Sequence, residues 1–496
     1  MQIPKTREET EALEGMIAQR RDFHAHPEEG WCEFRTTAAI VRVLENLGFA
    51  VLTGEDVIAP DARMGVVEER LAAARHKALE EGADATILDR MGDLTGCVGV
   101  WKTGRPGPVT ALRFDIDALR GVTESSSPEH RPAALGFASP VPNVCHACGH
   151  DAHTAVGLGV ARWIASHAHE LTGTVKFLFQ PAEEGVRGAA AMAKSGVVDD
   201  CGWLFGSHVG CEFGPDEIGI LTEGYLATTK MDVFFEGTPA HAGSDPEKGR
   251  SALLAACAAV MSIQGLPRHS GGDSRVSIGR IEAGEGRNVV AAHGRLELEV
   301  RGATKEVNDF LADEVHRIVH GMAEVYGVKG KVVKTGESCR YVCDPEAVAI
   351  LEDVAKALPD KTKATVFTTE RGSEDCAVLA ERVRSLGGKA GFFCFGTRHK
   401  GHHRPDFDVE DEDAMLLAWR VFTGVLARLH HARESGLSRK SGWGASGRPD
   451  FRREIVRASP ATTWLRVPRG RTRRAVRRFG GERAARRFCS PRRTPH

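Results

Sequence analysis

Nine consecutive residues, CHACGHDAH from Cys145 to His153, hold two cysteines and three histidines just ahead of a stretch with helical periodicity. Thiolate and imidazole are the groups that zinc and similar divalent ions favour, so a segment of this density is a candidate metal loop. No second CxxC or HxxxH pair follows at finger spacing, which argues against a purely structural knuckle. A second segment, QPAEEG (Gln180 to Gly185), places Glu183 and Glu184 directly after the apolar run TVKFLFQ. Adjacent carboxylates on a loop can divide their work: one binds a cation, the other takes and returns a proton at a bound water. His208 in LFGSHVG, and His402 and His403 after GFFCFGT, also follow apolar runs. Asp117 in DID offers a carboxylate that can orient a ligand from behind.

These groups can meet only if the elements carrying them converge. Val109–Phe114, Thr174–Gln180, Trp203–Ser207 and Gly391–Phe395 are short apolar runs suited to buried strands. Helices are expected from Glu8 to His24, from Thr36 to Leu47, and from near His153 to Ala168, the last capped by Asp151. Arg63 to Ile87 reads as a further inserted helical stretch. Strands alternating with helices give an α/β sheet, in which ligand-binding groups collect at the carboxyl ends of the strands. From Thr228 to Gly336 the pattern changes to β-α-β-β-α-β, the ferredoxin-like order. The expected division is therefore a catalytic part over 1–226 with a helical insertion near 55–95, an inserted domain over 227–338, a second catalytic part over 339–433, and a tail over 434–496.

The 496 residues are 42% apolar and 27% charged, ordinary for a soluble globular chain, and no apolar run approaches the roughly 18–20 residues that span a bilayer. The opening MQIPKTREET is charged and has no secretory apolar core, and the twelve cysteines are scattered rather than framed as disulfides. A cytoplasmic protein with no membrane partner is expected. The net charge of −1 conceals an asymmetry: residues 434–496 carry 18 Lys and Arg against 4 Asp and Glu, leaving an acidic body. The tail reads as disordered or as an accidental extension, with nucleic-acid binding as the rival reading.

RRDFHAHPEEGWCEFRT, LRFDIDAL, HACGHDAHTA, QPAEEG, GTPAHAG, GRNVV and RGSED together resemble the amidohydrolase branch of the M20 metallopeptidase family, over about residues 8 to 430. The resemblance implies a zinc-peptidase-like α/β domain with a central mixed sheet, and an inserted ferredoxin-like domain that mediates dimerisation. It implies two divalent ions per chain, manganese before zinc, held by Cys148, His150, Glu184, His208 and His403. Glu183 becomes the general acid/base. His403 is preferred to His402 because it stands four residues before Phe407. His241 would reach the active site of a partner subunit, identical or related, while Asn288 and Arg301 would hold the substrate carboxylate. Cys145 and Arg404 depart from the family pattern without removing a ligand.

The reaction so implied is hydrolysis of an N-acyl amino acid, with 4-aminobenzoyl-glutamate as the first expectation and a broader hippurate or indole-acetyl-amino-acid range as the second. A noncatalytic partner subunit of such a hydrolase is the reading from another class.

Overall fold

The computed structural model describes residues 5–359, 361–410 and 412–431; the basic segment from Glu434 lies outside them. Before the change of pattern the strands are β1 (Ala50–Thr53), β2 (Cys97–Lys102), β3 (Val109–Asp115), the short β4 (Leu119–Arg120) and β5 (Val144–Cys145), β6 (Thr174–Gln180), β7 (Trp203–Val209) and β8 (Glu217–Gly224). β9 (Ala227–Glu236), β10 (Ser274–Ala283), β11 (His293–Gly302) and β12 (Lys329–Ser338) come next, then β13 (Tyr341–Val342), β14 (Lys363–Thr369) and β15 (Lys389–Phe395).

The large sheet runs β1-β2-β6-β3-β7-β15-β8-β13, with β14 joined to β8. β6, β3, β7 and β15 are mutually parallel, whereas β2 runs antiparallel to β1 and β6 and β8 runs antiparallel to β15 but parallel to β14, so the sheet is mixed. Every residue but the first of β3, β6 and β15 is buried. Successive side chains point to opposite faces, so both faces of these strands are covered, which is why they read as mostly apolar runs, with Arg113 and Lys176 as buried exceptions. Burial of each large side chain, such as Phe114, Phe177 or Phe393, contributes about 1.5–3 kcal/mol. Because the four strands are parallel, Asp115, Gln180, Val209 and Phe395 all end at one edge.

A helix from His150 to His167 packs against β3, β6 and β7. It starts three residues earlier than expected, and its cap is Gly149 rather than Asp151. Gly149 has φ +89°, and a Cβ there would stand 2.5 Å from Val209 Cγ1, so the turn that presents Cys148 and His150 needs glycine. Asp151 lies inside the first turn, fully buried, where its carboxylate accepts from Arg20 Nε at 3.0 Å and meets His24 Nδ1 at 2.8 Å. Pairing a buried cation outweighs the modest gain from a cap. The expected single helical stretch from Arg63 to Ile87 is two helices, Glu68–Glu80 and Ala85–Met91, separated around Gly82 at φ +84° and restarted by Asp84 as cap.

Between Ala227 and Ser338 the order is strand, helix, strand, strand, helix, strand. The four strands form a separate antiparallel sheet, β10-β11-β9-β12. Val233, Leu296, Val300, Leu311 and Val315 belong to its own apolar core with the helices Ala252–Gln264 and Lys305–Tyr326. Burial alternates strictly along β11, as expected of a sheet covered on one face. Among the described residues no helix is long and apolar enough to cross a membrane.

Candidate metal centre

The common edge of the four parallel strands gathers the loops that carry ligand-type side chains. Cys148, His150 and His208 each offer a ligand atom within 4.8 Å of the others, and so do Cys148, Glu184 and His403. The two trios share Cys148, the arrangement needed for a thiolate between two cation positions. Cys148 Sγ stands 3.5 Å from His208 Nε2, and His403 Nε2 stands 3.5 Å from Glu184 Oε1. His402 points elsewhere: its Nε2 contacts the Val209 carbonyl at 3.2 Å.

The ring orientations test whether these residues suit a cation. His150 Nδ1 donates to the Asp117 carbonyl at 3.0 Å, and His208 Nδ1 donates to the Val209 carbonyl at 2.8 Å. Each bond fixes the tautomer and leaves Nε2 with a free lone pair on the cluster side. His150 Nε2 and Glu184 Oε1 are buried without a hydrogen-bond partner. Orphaned polar atoms of this kind are costly unless something polar meets them, and a divalent cation would. Burial and the Glu184 carboxylate push the Cys148 thiol up, but His208 and His150 outweigh them and bring it down to about 7. The donor set fits divalent cations.

Asp117 works on the loop as well as on a ring. Its carboxylate accepts from the Glu183 N–H at 3.0 Å and the Glu184 N–H at 2.9 Å, which fixes the backbone of both glutamates. Burial first, then the Glu374, Asp375 and Glu184 carboxylates, raises Glu183 well above the ordinary carboxylate range. Glu184 is also penalised by burial, yet His403 and His150 hold it below its ordinary value. Two neighbouring carboxylates are thus driven apart, one toward holding a proton and one toward ionisation, which is how acid–base and ligand duties are separated.

Glu374 and Asp375, part of the RGSED segment but given no role from sequence, form a buried trio with Glu183 within 4.8 Å. Arg113 on β3 sustains it: the guanidinium is fully buried and reaches Asp115 at 2.5 Å, Asp375 at 2.9 Å and Glu374 at 3.0 Å. The backbone is strained around the same place. Eight non-glycine residues among those described have positive φ; Val186, Cys211, Tyr225 and His403 border the cleft beside the cluster, and Ala182 directly precedes Glu183. A left-handed conformation at a β-branched residue such as Val186 is costly and persists only where surrounding structure enforces it.

The cluster opens into a cleft of about 370 Å³ whose wall includes Arg301 and Lys230 from the second sheet. Asn288 and His241 do not line it. They lie together on exposed loops, with Ala242 N–H donating to the Asn288 carbonyl at 2.9 Å and a bridge between His241 and Val289. Arg301 sits at the carboxyl end of β11 and pairs with Thr228, while these loops lie past the opposite end, where His293 pairs with Glu236. The ten-residue β11 is about 30 Å long, so one chain cannot bring His241 and Arg301 to the same substrate in this arrangement. Of the departures, Cys145 Sγ turns to the Val122 carbonyl at 3.4 Å, and Arg404 is paired with Asp406 at 2.9 Å.

The chain as a whole is similar to known proteins. Residues 111–428 match the model of peptidase family M20/M25/M40. The chain is 40% identical over 423 residues to the Haemophilus influenzae homolog of a p-aminobenzoyl-glutamate hydrolase subunit, covering 84% of this chain and 99% of that one. It is 40% identical over 429 residues to indole-3-acetyl-aspartic acid hydrolase of Enterobacter agglomerans, covering 86% and 98%. A dinuclear metal-binding peptidase of the M20 family from Bacillus subtilis superposes with a TM-score of 0.58 at 26% identity, covering 85% of this chain and 99% of that one. A family match across most of the sheet, near-complete coverage of two hydrolases and a dinuclear structural neighbour leave one assignment: the chain belongs to peptidase family M20/M25/M40 and is a metal-dependent amidohydrolase.

Proposed function

We propose that the chain hydrolyses the amide bond of N-acyl amino acids, with 4-aminobenzoyl-glutamate, a folate breakdown product, as its substrate. The observation that carries this reading is the sharing of Cys148 between two ligand trios beside Glu183, in a cleft that Arg301 also lines. Cys148, His150, Glu184, His208 and His403 would hold two divalent cations, manganese in the first instance. When bound, these cations would polarise the amide carbonyl and lower the proton affinity of the attacking water.

The remaining steps belong to side chains. Glu183 takes a proton from the water as it attacks and returns it to the leaving nitrogen. Arg301 is suited to a substrate carboxylate because a guanidinium can meet both of its oxygens. His241 supplies a hydrogen bond to the carbonyl oxygen as negative charge develops there, and Asn288 helps hold the substrate. Their distance from Arg301 within one chain supports a dimer in which each chain's His241 and Asn288 serve its partner's cleft. A cytoplasmic setting is part of this reading, supported by eleven free cysteines among the described residues.

Metal content offers a check that does not depend on turnover. Loaded protein should carry close to two divalent ions per chain, and Cys148→Ala should lose both positions together, because the thiolate is common to them. Elemental analysis after dialysis measures this; a stoichiometry near zero, or one unmoved by the substitution, removes the assignment. Substrate class is tested with manganese-loaded protein against 4-aminobenzoyl-glutamate, hippurate and acetylated amino acids. The aminobenzoyl substrate should show the highest kcat/KM, and a preference for hippurate would replace it with the broader acyl-amino-acid activity.

A further inference from the structure

Beside the metal cluster the cleft wall carries three cations, Lys230, Arg301 and Arg371. Two of them already meet a protein carboxylate, Arg301 through one edge of its guanidinium only. Arg301 grips Glu299 through Nε to Oε1 at 2.8 Å and Nη2 to Oε2 at 3.1 Å. Arg371 Nη1 meets Glu212 Oε1 at 2.5 Å, at a side chain 79% exposed. Lys230 has only a 3.8 Å approach to Glu299 Oε2, an oxygen Arg301 already occupies. Two cations thus share one carboxylate, and the surplus positive charge falls on Lys230. Lys230 lines the same cleft wall as Cys148 and Glu184, which places it beside the metal cluster.

The strand register sets the spacing. Lys230 of β9 is paired with Glu299 of β11, and Thr228 with Arg301, so Lys230 and Arg301 are diagonal neighbours on one face of the sheet. Such neighbours are about 7–8 Å apart at the backbone, and their side chains can converge on two anions joined by a short methylene chain. We propose that Lys230 forms a subsite for a second carboxylate, the side-chain carboxylate of an acidic amino-acid leaving group, while Arg301 takes the α-carboxylate. This rests on the amidohydrolase reading above and narrows it to N-acyl dicarboxylic amino acids. A lysine suits the task because its flexible stem can follow a carboxylate on either an aspartate or a glutamate.

The test separates charge recognition from catalysis. In manganese-loaded Glu183→Gln protein, calorimetry compares binding of 4-aminobenzoyl-glutamate with that of 4-aminobenzoyl-glutamine, which matches it in length but carries no side-chain charge. With Lys230 present, the glutamate compound should bind more tightly. Adding Lys230→Met should weaken its binding roughly ten- to hundredfold, below the scale for a fully desolvated charge pair because the Lys230 side chain is a third exposed, and abolish the preference. Lys230→Arg should restore most of it, and metal content should stay at the value of the parent protein. A preference that survives Lys230→Met overturns the role of Lys230 alone, as does an equal loss for both compounds. Equal binding of the two while Lys230 is in place overturns the acidic substrate class itself. Failure of the wild-type chain to hydrolyse any acyl amino acid shows separately that the underlying reading is wrong, and the subsite falls with it.

Discussion

Glu183→Gln will retain its metal and lose turnover by about a hundred- to ten-thousandfold, the range supplied by a positioned acid–base group. The expectation follows from where Glu183 sits. Its backbone is pinned by Asp117, its side chain is enclosed, and the carboxylates of Glu374 and Asp375 raise its affinity for a proton. Glutamine keeps the shape and the polar contacts but cannot accept and release a proton. Glu184→Gln should fail differently, because that carboxylate belongs to the trio with Cys148 and His403 and its Oε1 has no other partner. There the loss should appear first as weaker metal binding, recoverable in part at high metal concentration. Measuring kcat and bound metal on both variants distinguishes the two duties. Near-normal turnover in Glu183→Gln would move the general base to another residue.

The parts of this site that can be read from sequence are those that local chemistry marks. TVKFLFQ is the strand Thr174–Gln180 without adjustment, since a strand buried on both faces is largely apolar. Glu184, His208 and His403 stand at or beyond the ends of such strands, whereas Cys148 and His150 stand at the start of a helix, so part of their convergence is legible from strand ends alone. β8 and β14 are not legible in this way. EIGILTEG is interrupted by glycines, and KATVFTT is largely exposed, so neither shows the pattern of a buried strand. The Asp151 cap fails for a tertiary reason: Arg20 and His24 arrive from another helix and claim the carboxylate. Glu374 and Asp375 are equally hidden. An adjacent acidic pair is ordinarily solvated, and what makes this one buried is Arg113, 262 residues away from Asp375 in the chain. Sequence marks the groups that bind or react; the buried counter-charges that tune them are fixed by long-range packing.

The largest gain of activity should come from mixing two inactive proteins. His241→Ala removes the group expected at the carbonyl oxygen, and Glu183→Gln removes the proton carrier, so each homodimer should be nearly silent. His241 and Asn288 lie past one end of a strand about 30 Å long, and Arg301 lies in the cleft at the other. If each cleft borrows His241 from its neighbour, a mixed dimer contains one site with Glu183 from the His241→Ala chain and His241 from the Glu183→Gln chain. Random reassembly makes half of the dimers mixed, and one of their two sites is complete, so about one site in four should work. Activity should therefore rise to about a quarter of the wild-type value once the chains have exchanged, verified by mass-tagged protein. Exchange without recovery would mean that His241 acts within its own chain, which requires the second sheet to swing, or that it is a surface histidine. Those two outcomes differ in turn. A swinging sheet would still leave His241→Ala inactive by itself, whereas a surface histidine would leave that variant at wild-type turnover.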